Sequence, residues 1–435
     1  MSWGQREIWL AIGRLHSSLG VGGIVPLARH TTLADVEAML RFLMCRHQSL
    51  RTRISFGADG QPHQVVSSAG EVPLEIVDVA EDADPQVVAG AVWNRYYSRE
   101  FDYSGEWPIR MAAVRHRGAL THMVALCCHL ATDGVGADLL RLDMSKVDTA
   151  TMPPVTAMQP LDQARWQRSQ AGRQQNHAAL RYVEGMLRTI SARRFPEPGE
   201  KREPRYREIN FSSPAAHLAA LRSAERLGVR SSTVLLAAFA MALAQVTGIN
   251  PVAVQVLVNN RFRPGLTDSV STLSHAGLCV IDIDGLSFEQ AVPRAWRALL
   301  RAYKNAYYDP DQMLALVDRI GRERGVEIDR DCFFNDRRAY RIEAPGPIDE
   351  RDVRAARRLT TLRWVPPRDV PCERFFFHVN DVPDTIDVRL SMDAHHVPAA
   401  DAEEFLLRME ALVIDAALAP AGDSGARGRR AAPVR

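Results

Sequence analysis

The sequence predicts a mixed α/β chain in two halves, and three observations carry that prediction. Apolar residues recur at helical spacing in some windows and alternate or run continuously in others, so helices and strands interleave. The run Met123-Val124-Ala125-Leu126-Cys127-Cys128 is continuously apolar, as a strand covered on both faces is. In the second half an apolar helix, Thr233 to Val246, is followed by another buried strand, Val252 to Val258. There is no internal sequence repeat.

The elements follow in order. The opening MSWGQREIWLAIG sets Arg6 and Glu7 before any apolar run, which a signal peptide does not. Thr32-Leu33-Ala34-Asp35 reads as a capped helix start, and Leu33, Val36, Met39, Leu40, Leu43 and Met44 recur at helical spacing to about His47. Arg51 to Phe56 alternates, and Ala58-Asp59-Gly60 makes the turn of a hairpin. Met111 to His116 and Ala119 to Cys128 are two strands joined at Arg117-Gly118. Residues 160–190 are helical and polar, with Trp166, Leu180, Val183 and Leu187 inward. Residues 193–208, with three prolines and interleaved charges, read as a solvated loop. The helix Thr233 to Val246 takes Ser231 or Ser232 as its cap and Gly248 as its stop. Val252 to Val258 ends at Asn259-Asn260-Arg261. Residues 375–380 and 386–391 pair as strands, and an amphipathic helix runs from about Ala399 to Leu418. The tail 421–435 is small, basic and expected to be disordered.

Composition narrows the function classes. With 54 basic and 52 acidic side chains the formal net charge is +2, too small a surplus for nucleic acid or an anionic membrane as the main partner. The 435 residues suggest two to three domains of about 150 residues and bury a core without disulfides. Six cysteines show no metal-binding pair spacing, and no window of 18 apolar residues exists. The expectation is a cytoplasmic, monomeric protein with reduced thiols, no metal and no bound cofactor. His395-His396 is not a metal pair, since adjacent side chains do not converge. No GxGxxG, Walker A or HExxH pattern is present.

The sharpest feature is Cys128-His129-Leu130-Ala131-Thr132-Asp133-Gly134, at the end of the buried strand. On these residues alone two readings stand. Either the strand end aims the His129 ring into a cleft, or His129 is a buried, hydrogen-bonded histidine with Asp133 capping a turn. Arg261, just past the strand Val252 to Val258, reads on its own as a solvated strand-end arginine. Asn335, in Cys332-Phe333-Phe334-Asn335, reads on its own as a turn-forming asparagine at a strand end.

Here the chain resembles the condensation domains of nonribosomal peptide synthetases, within the chloramphenicol acetyltransferase-like acyltransferase superfamily. The family motif is His-His-x-x-x-Asp-Gly, matched by His129, Asp133 and Gly134 with Cys128 in the first position. Ser2 to Trp9 resembles the opening Ser-x-x-Gln-x-x-x-Trp signature, and Arg46-His47-Gln48-Ser49-Leu50-Arg51-Thr52 resembles Arg-His-Glu-x-Leu-Arg-Thr. Phe101-Asp102 with Trp107-Pro108-Ile109-Arg110, then Ser232 to Gly248 with Val256 to Arg261, resemble later family segments in order. The resemblance covers roughly residues 1 to 418. It departs at Cys128, at Gly136, where the family often has serine, and at Ser274 to Cys279, a poor match to Val-Asn-Thr.

The resemblance implies two chloramphenicol acetyltransferase-like lobes in a V-shaped pseudo-dimer with a central tunnel, about 1–165 and 170–420, with His129 between them. It implies a condensation enzyme joining an acyl or aminoacyl thioester to an amine, less readily a hydroxyl, in natural-product biosynthesis. The donor rides on the phosphopantetheine arm of an acyl or peptidyl carrier protein, and the acceptor is a small molecule or carrier-bound. His129 is the functional histidine and Cys128 holds the place of a structural one. Asp133 pairs with Arg261, taken from the second lobe, to fix the loop, the Gly134 amide is an oxyanion donor, and Asn335 of the second lobe faces the tunnel. Asp423-Ser424 superficially echoes an attachment serine, but the 11 residues after it are too few for the helical carrier domain that should surround it, so the chain carries no carrier of its own. A coenzyme-A-dependent acyltransferase and a non-catalytic domain that recruits a tailoring enzyme are the rival readings.

Overall fold

The computed structural model describes residues 1–145, 154–196, 203–338, 346–367 and 371–419. The tail 421–435, and with it Ser424, lies outside the described residues, as do residues 197–202 of the expected loop.

The chain runs α1 (Trp3–Leu15), β1 (Val21–Pro26), α2 (Leu33–Arg46), β2 (Thr52–Phe56), β3 (Pro62–Val66), β4 (Leu74–Val79), α3 (Pro85–Ser98), β5 (Ile109–His116), β6 (Ala119–Cys127) and α4 (Gly134–Ser145). It continues with α5 (Pro160–Arg168), α6 (Gln170–Leu187), β7 (Tyr206–Ser213), α7 (Pro214–Leu227), α8 (Ser231–Thr247), β8 (Val252–Val258), β9 (His275–Ile281), α9 (Phe288–Asn305) and α10 (Pro310–Arg324). Then come β10 (Cys332–Asp336), α11 (Glu350–Ala356), β11 (Thr361–Trp364), β12 (Phe375–Asn380), β13 (Ile386–Asp393) and α12 (Ala399–Leu418). The fold is mixed α/β.

Two compact units emerge. The first holds Met1–Thr189, Leu257–Gly277 and Ala302–Ile328; the second holds Ile190–Val256, Leu278–Arg301 and the chain from Asp329. The partition therefore differs from a single boundary near 165–170, because two later segments return to the first unit.

The first unit is built on a four-stranded sheet in the order β1-β6-β5-β4, with β6 antiparallel to both neighbours and β4 parallel to β5. Arg117 (φ 50°) and Gly118 (φ 77°) join β5 to β6 as a two-residue turn with both residues left-handed, and glycine takes that conformation without strain. The continuous apolar run of β6 is explained by cover on both faces. Met123 and Cys127 pack with Val36, Met39, Leu40 and Leu43 of α2, while Val124 packs with Ala89 and Val92 of α3. Thr32 caps α2 reciprocally: the Asp35 amide donates to Thr32 Oγ1 at 3.2 Å and the Thr32 amide to Asp35 Oδ2 at 2.8 Å.

The second unit carries most of a seven-stranded sheet, in the order β11-β7-β13-β12-β10-β8-β9. Helix α8 is buried almost throughout, and Phe239 meets Phe334, Phe377 and Phe405 edge-on at 5.3, 5.4 and 5.3 Å. Such pairs contribute about 0.5–1.5 kcal/mol each beyond area burial. Its N-cap is Arg230, with no side-chain capping bond, rather than Ser231 or Ser232, which lie inside the first turn.

The expected loop 193–208 needs correction at its end. Tyr206 to Glu208 open β7, which lies between β13 and β11. Its charges are accommodated on the strand: the Arg207 guanidinium sits 3.8 Å from the Trp364 ring centre, and Glu208 pairs with Arg389. Among the described residues no single helix is long and apolar enough to cross a membrane; α7 and α8 pass only as a pair bent by 108°.

Candidate active site

The segment 128–134 links the end of β6 to the start of α4, and each residue is held differently. Cys128 is buried; its amide donates to the Pro108 carbonyl at 3.0 Å. Its side chain packs with Ile54, Phe101, Leu126 and Leu130. Burial pushes its thiol up to about 12, against weaker help from the Leu130 and Ala131 amides. Adjacency to a histidine therefore does not make Cys128 a thiolate nucleophile. His129 follows in a turn, half-buried, with Nδ1 turned away from solvent. Its backbone carbonyl accepts the hydroxyl of Thr272.

Asp133 is buried, and both carboxylate oxygens are saturated. Arg261 Nη2 lies 2.7 Å from Oδ1 and Nη1 lies 2.9 Å from Oδ2. Oδ1 also accepts the Gly136 amide at 2.9 Å, and Oδ2 accepts the amides of Leu273 and Ser274 and the Ser274 hydroxyl at 3.0, 3.2 and 3.0 Å. Burial pushes the Asp133 carboxyl up, but the Arg261 charge and these hydrogen bonds outweigh it and hold the group below its ordinary value. Arg261 Nη2 donates onward to the carbonyls of Ser269 and Ser271 at 3.0 Å each. The segment bearing Arg261 belongs to the same compact unit as Asp133.

Asp133 also caps α4, through the Gly136 bond and through its carbonyl, which accepts the Ala137 amide at 2.9 Å. Of the first helical amides, those of Gly134 and Val135 have no protein partner among the described residues. Gly134 is exposed, and a Cβ placed on it meets nothing within 4 Å. Gly136 is the opposite case, since a Cβ there falls 2.2 Å from Thr132 Oγ1 and 3.2 Å from Arg261 Nη2. Gly134→Ala should fold with an unchanged melting temperature, since the added methyl meets nothing within 4 Å. Gly136→Ala should lower the melting temperature, because the close contacts must shift. A thermal melt of each variant separates the two.

The remaining sequence signatures act as scaffolding. Ser2 and Gln5 form a capping box on α1: the Ser2 amide donates to Gln5 Oε1 at 2.9 Å and the Gln5 amide to Ser2 Oγ at 3.4 Å. Arg46 Nε and His47 Nε2 both lie 2.9 Å from Asp143 Oδ2, tying α2 to the far turn of α4. The buried Arg110 donates to Glu106 and to the carbonyls of Tyr96, Arg99 and Glu100, and lies 3.9 Å from the Phe101 ring centre.

Cys128, His129, Asp133, Gly134 and Arg261 are thus brought together in the first unit. Asn335 is not among them; it lies on β10 in the second unit, half-buried, with Nδ2 3.3 Å from His378 Nδ1. Burial, reinforced by Arg337 and Arg389, pulls His378 well below its ordinary value. Among the described residues no group of three or more His, Cys, Asp or Glu is placed to hold a metal ion. Thr272, Leu273 and Ser274 were not legible as site residues. Their only signal was a Ser/Thr-rich stretch, 269–274, which runs into the segment Ser274 to Cys279 that matches the family pattern poorly.

A family model described as the condensation domain matches residues 24–325. Cyclosporin synthetase from Tolypocladium inflatum is 26% identical over 257 residues, 55% of this chain and 2% of the synthetase. The chain thus spans a small fraction of that relative's length. A solved structure concerned with condensation domain-mediated chain release from the enacyloxin polyketide synthase aligns with TM-score 0.73 at 18% identity, covering 100% of this chain and 85% of that one. The X-domain from teicoplanin biosynthesis aligns with TM-score 0.70 at 17% identity, covering 96% and 94%. At these identities the structural likeness speaks for the fold.

Proposed function

Because the chain belongs to the condensation domain family, we propose that it joins an acyl or aminoacyl thioester, carried on a phosphopantetheine arm, to an amine acceptor. Condensation domains are acyl-transferring enzymes that act on carrier-bound substrates. The observation that supports the reading most is the fixed turn: Asp133 saturated by Arg261 and three backbone amides, with His129 ahead of it and Gly134 open beyond it.

A thioester is already activated, so the protein's main task is to hold both reactants in a near-attack pose. The acceptor nitrogen attacks the thioester carbonyl, the C–S bond breaks, and the arm leaves as a thiol. His129 takes the proton from the nucleophile, which requires a ring nitrogen within roughly 2.6–3.2 Å of it. An α-amine, with a pKa of ~7.7–8.0, is partly neutral near pH 7, so His129 chiefly orients it. A hydroxyl acceptor depends on base catalysis far more. The amides of Gly134 and Val135 meet the charge that develops on the carbonyl oxygen. Asp133 and Arg261 do no proton transfer; they set the loop.

The test supplies the purified chain with an acyl group on a carrier protein or on coenzyme A, together with a panel of amines and alcohols. Amide product from the carrier-loaded donor is expected. Equal use of acyl-coenzyme A points to the wider acyltransferase reading, and carrier binding without transfer to any acceptor overturns the enzymatic one.

A further inference from the structure

Between residues 128 and 133 the chain is fastened at three points, and the middle one has no counterpart in the motif. The Cys128 amide is held by Pro108 and the Asp133 carboxylate by Arg261, Leu273 and Ser274. The peptide of His129 lies between these anchors, and its carbonyl is reached by the Thr272 hydroxyl across 143 positions of sequence.

Thr272 is fully buried and sits in a strap that is itself immobilised. Gln163 Nε2 donates to the hydroxyls of Ser269 and Ser271 at 2.9 and 2.8 Å, and Ser269 Oγ donates to the Met158 carbonyl at 2.8 Å. The Leu273 carbonyl accepts Asn260 Nδ2 at 2.9 Å and lies 3.1 Å from His275 Nδ1. On the other side, the backbone of α1 rests against Thr272. A Cβ on Gly4 would fall 2.0 Å from the Thr272 carbonyl oxygen, so only glycine allows that approach. A hydroxyl presented from so fixed a strap restricts the peptide plane it holds, and that plane sets the direction of the His129 Cα–Cβ bond.

We propose that Thr272 is a positioning residue for His129, its hydroxyl fixing the histidine's peptide independently of the Asp133–Arg261 anchor. The proposal rests on His129 being the functional histidine. Thr272→Val keeps the shape and removes the hydroxyl, while Thr272→Ser keeps the hydroxyl. Loss of one such hydrogen bond corresponds to a fall in kcat of roughly three- to tenfold, with KM for donor and acceptor unchanged. Thr272→Ser should restore wild-type turnover.

A second readout does not depend on turnover. In histidine-labelled protein, the imidazole nitrogen signals of His129, assigned through His129→Ala, should shift or broaden in Thr272→Val and return in Thr272→Ser. Should Thr272→Val fail to fold, Thr272→Ala removes the hydroxyl with less crowding and carries the same comparison. Equal kcat and unshifted His129 signals in a folded hydroxyl-free variant overturn the proposal. So does a loss that Thr272→Ser fails to restore. If the wild-type chain transfers no acyl group at all, the functional reading fails, and the imidazole signals still decide whether Thr272 holds His129.

Discussion

His129→Ala should lower acyl transfer by about 10²–10⁴-fold, the usual contribution of a positioned general base, while the melting temperature stays close to wild type. The second half of that expectation follows from how the turn is held. Its anchors are the Cys128 amide, the His129 carbonyl and the Asp133 carboxylate, and alanine at 129 retains all three. The loss should also depend on the acceptor, being smaller for an amine that is partly neutral at the assay pH than for an alcohol. Product formation by mass spectrometry, beside a circular dichroism melt, measures both quantities. Unchanged turnover would falsify the role given to His129.

Arg261→Ala should act through the fold. It leaves a buried carboxylate facing three amide donors but no cation, and breaking one side of a buried pair costs about 3–5 kcal/mol. Against a typical total of about 5–15 kcal/mol, that is a large share of the stability, and it should appear as a marked fall in the melting temperature. Asp133→Asn should be similarly harmful, and it adds a pH signature. The folded carboxyl lies below its ordinary value of about 3.9, so the unfolded chain binds more protons as acid is added. The stability that Asp133 contributes is therefore fully present above that ordinary value and is lost as the pH falls through the lower folded one. Denaturant melts from pH 6 down to pH 3 should show this slope in the wild type and a shallower one in Asp133→Asn. Equal slopes would show that Asp133 does not carry the linkage.

How much of this was legible depended on whether the determining contacts were local. The helix α12 and the hairpin β5–β6 were readable because periodicity and a two-residue turn act within a few positions. The site residues 128–134 were visible for the same reason, since they are contiguous. Arg261 came from resemblance to a family segment, because nothing in its local sequence points at Asp133, 128 positions away. The strand β7 was hidden by Arg205, Arg207 and Glu208, whose charges read as solvent-facing. Each is matched by a distant partner: Arg205 by Asp393 at 2.8 Å, Arg207 by the Trp364 ring and Glu208 by Arg389. The opening signature was noticed as letters, yet its physical content is a capping box that starts α1 and lets Gly4 meet the strap. The strap itself was illegible because serines and threonines without apolar spacing look like any loop until their partners are placed.

The return of residues 257–277 to the first unit also bears on the order in which the site comes into being. A chain made from its N-terminus delivers the complete motif long before the cation and the strap that hold it. Until Arg261 and Ser274 emerge, Asp133 has neither its charge partner nor two of its amide donors, and a carboxylate in that position favours solvent over the interior. Closure of the turn is therefore a late event of synthesis. A nascent chain stopped short of residue 261 carries every letter of the motif and no formed site.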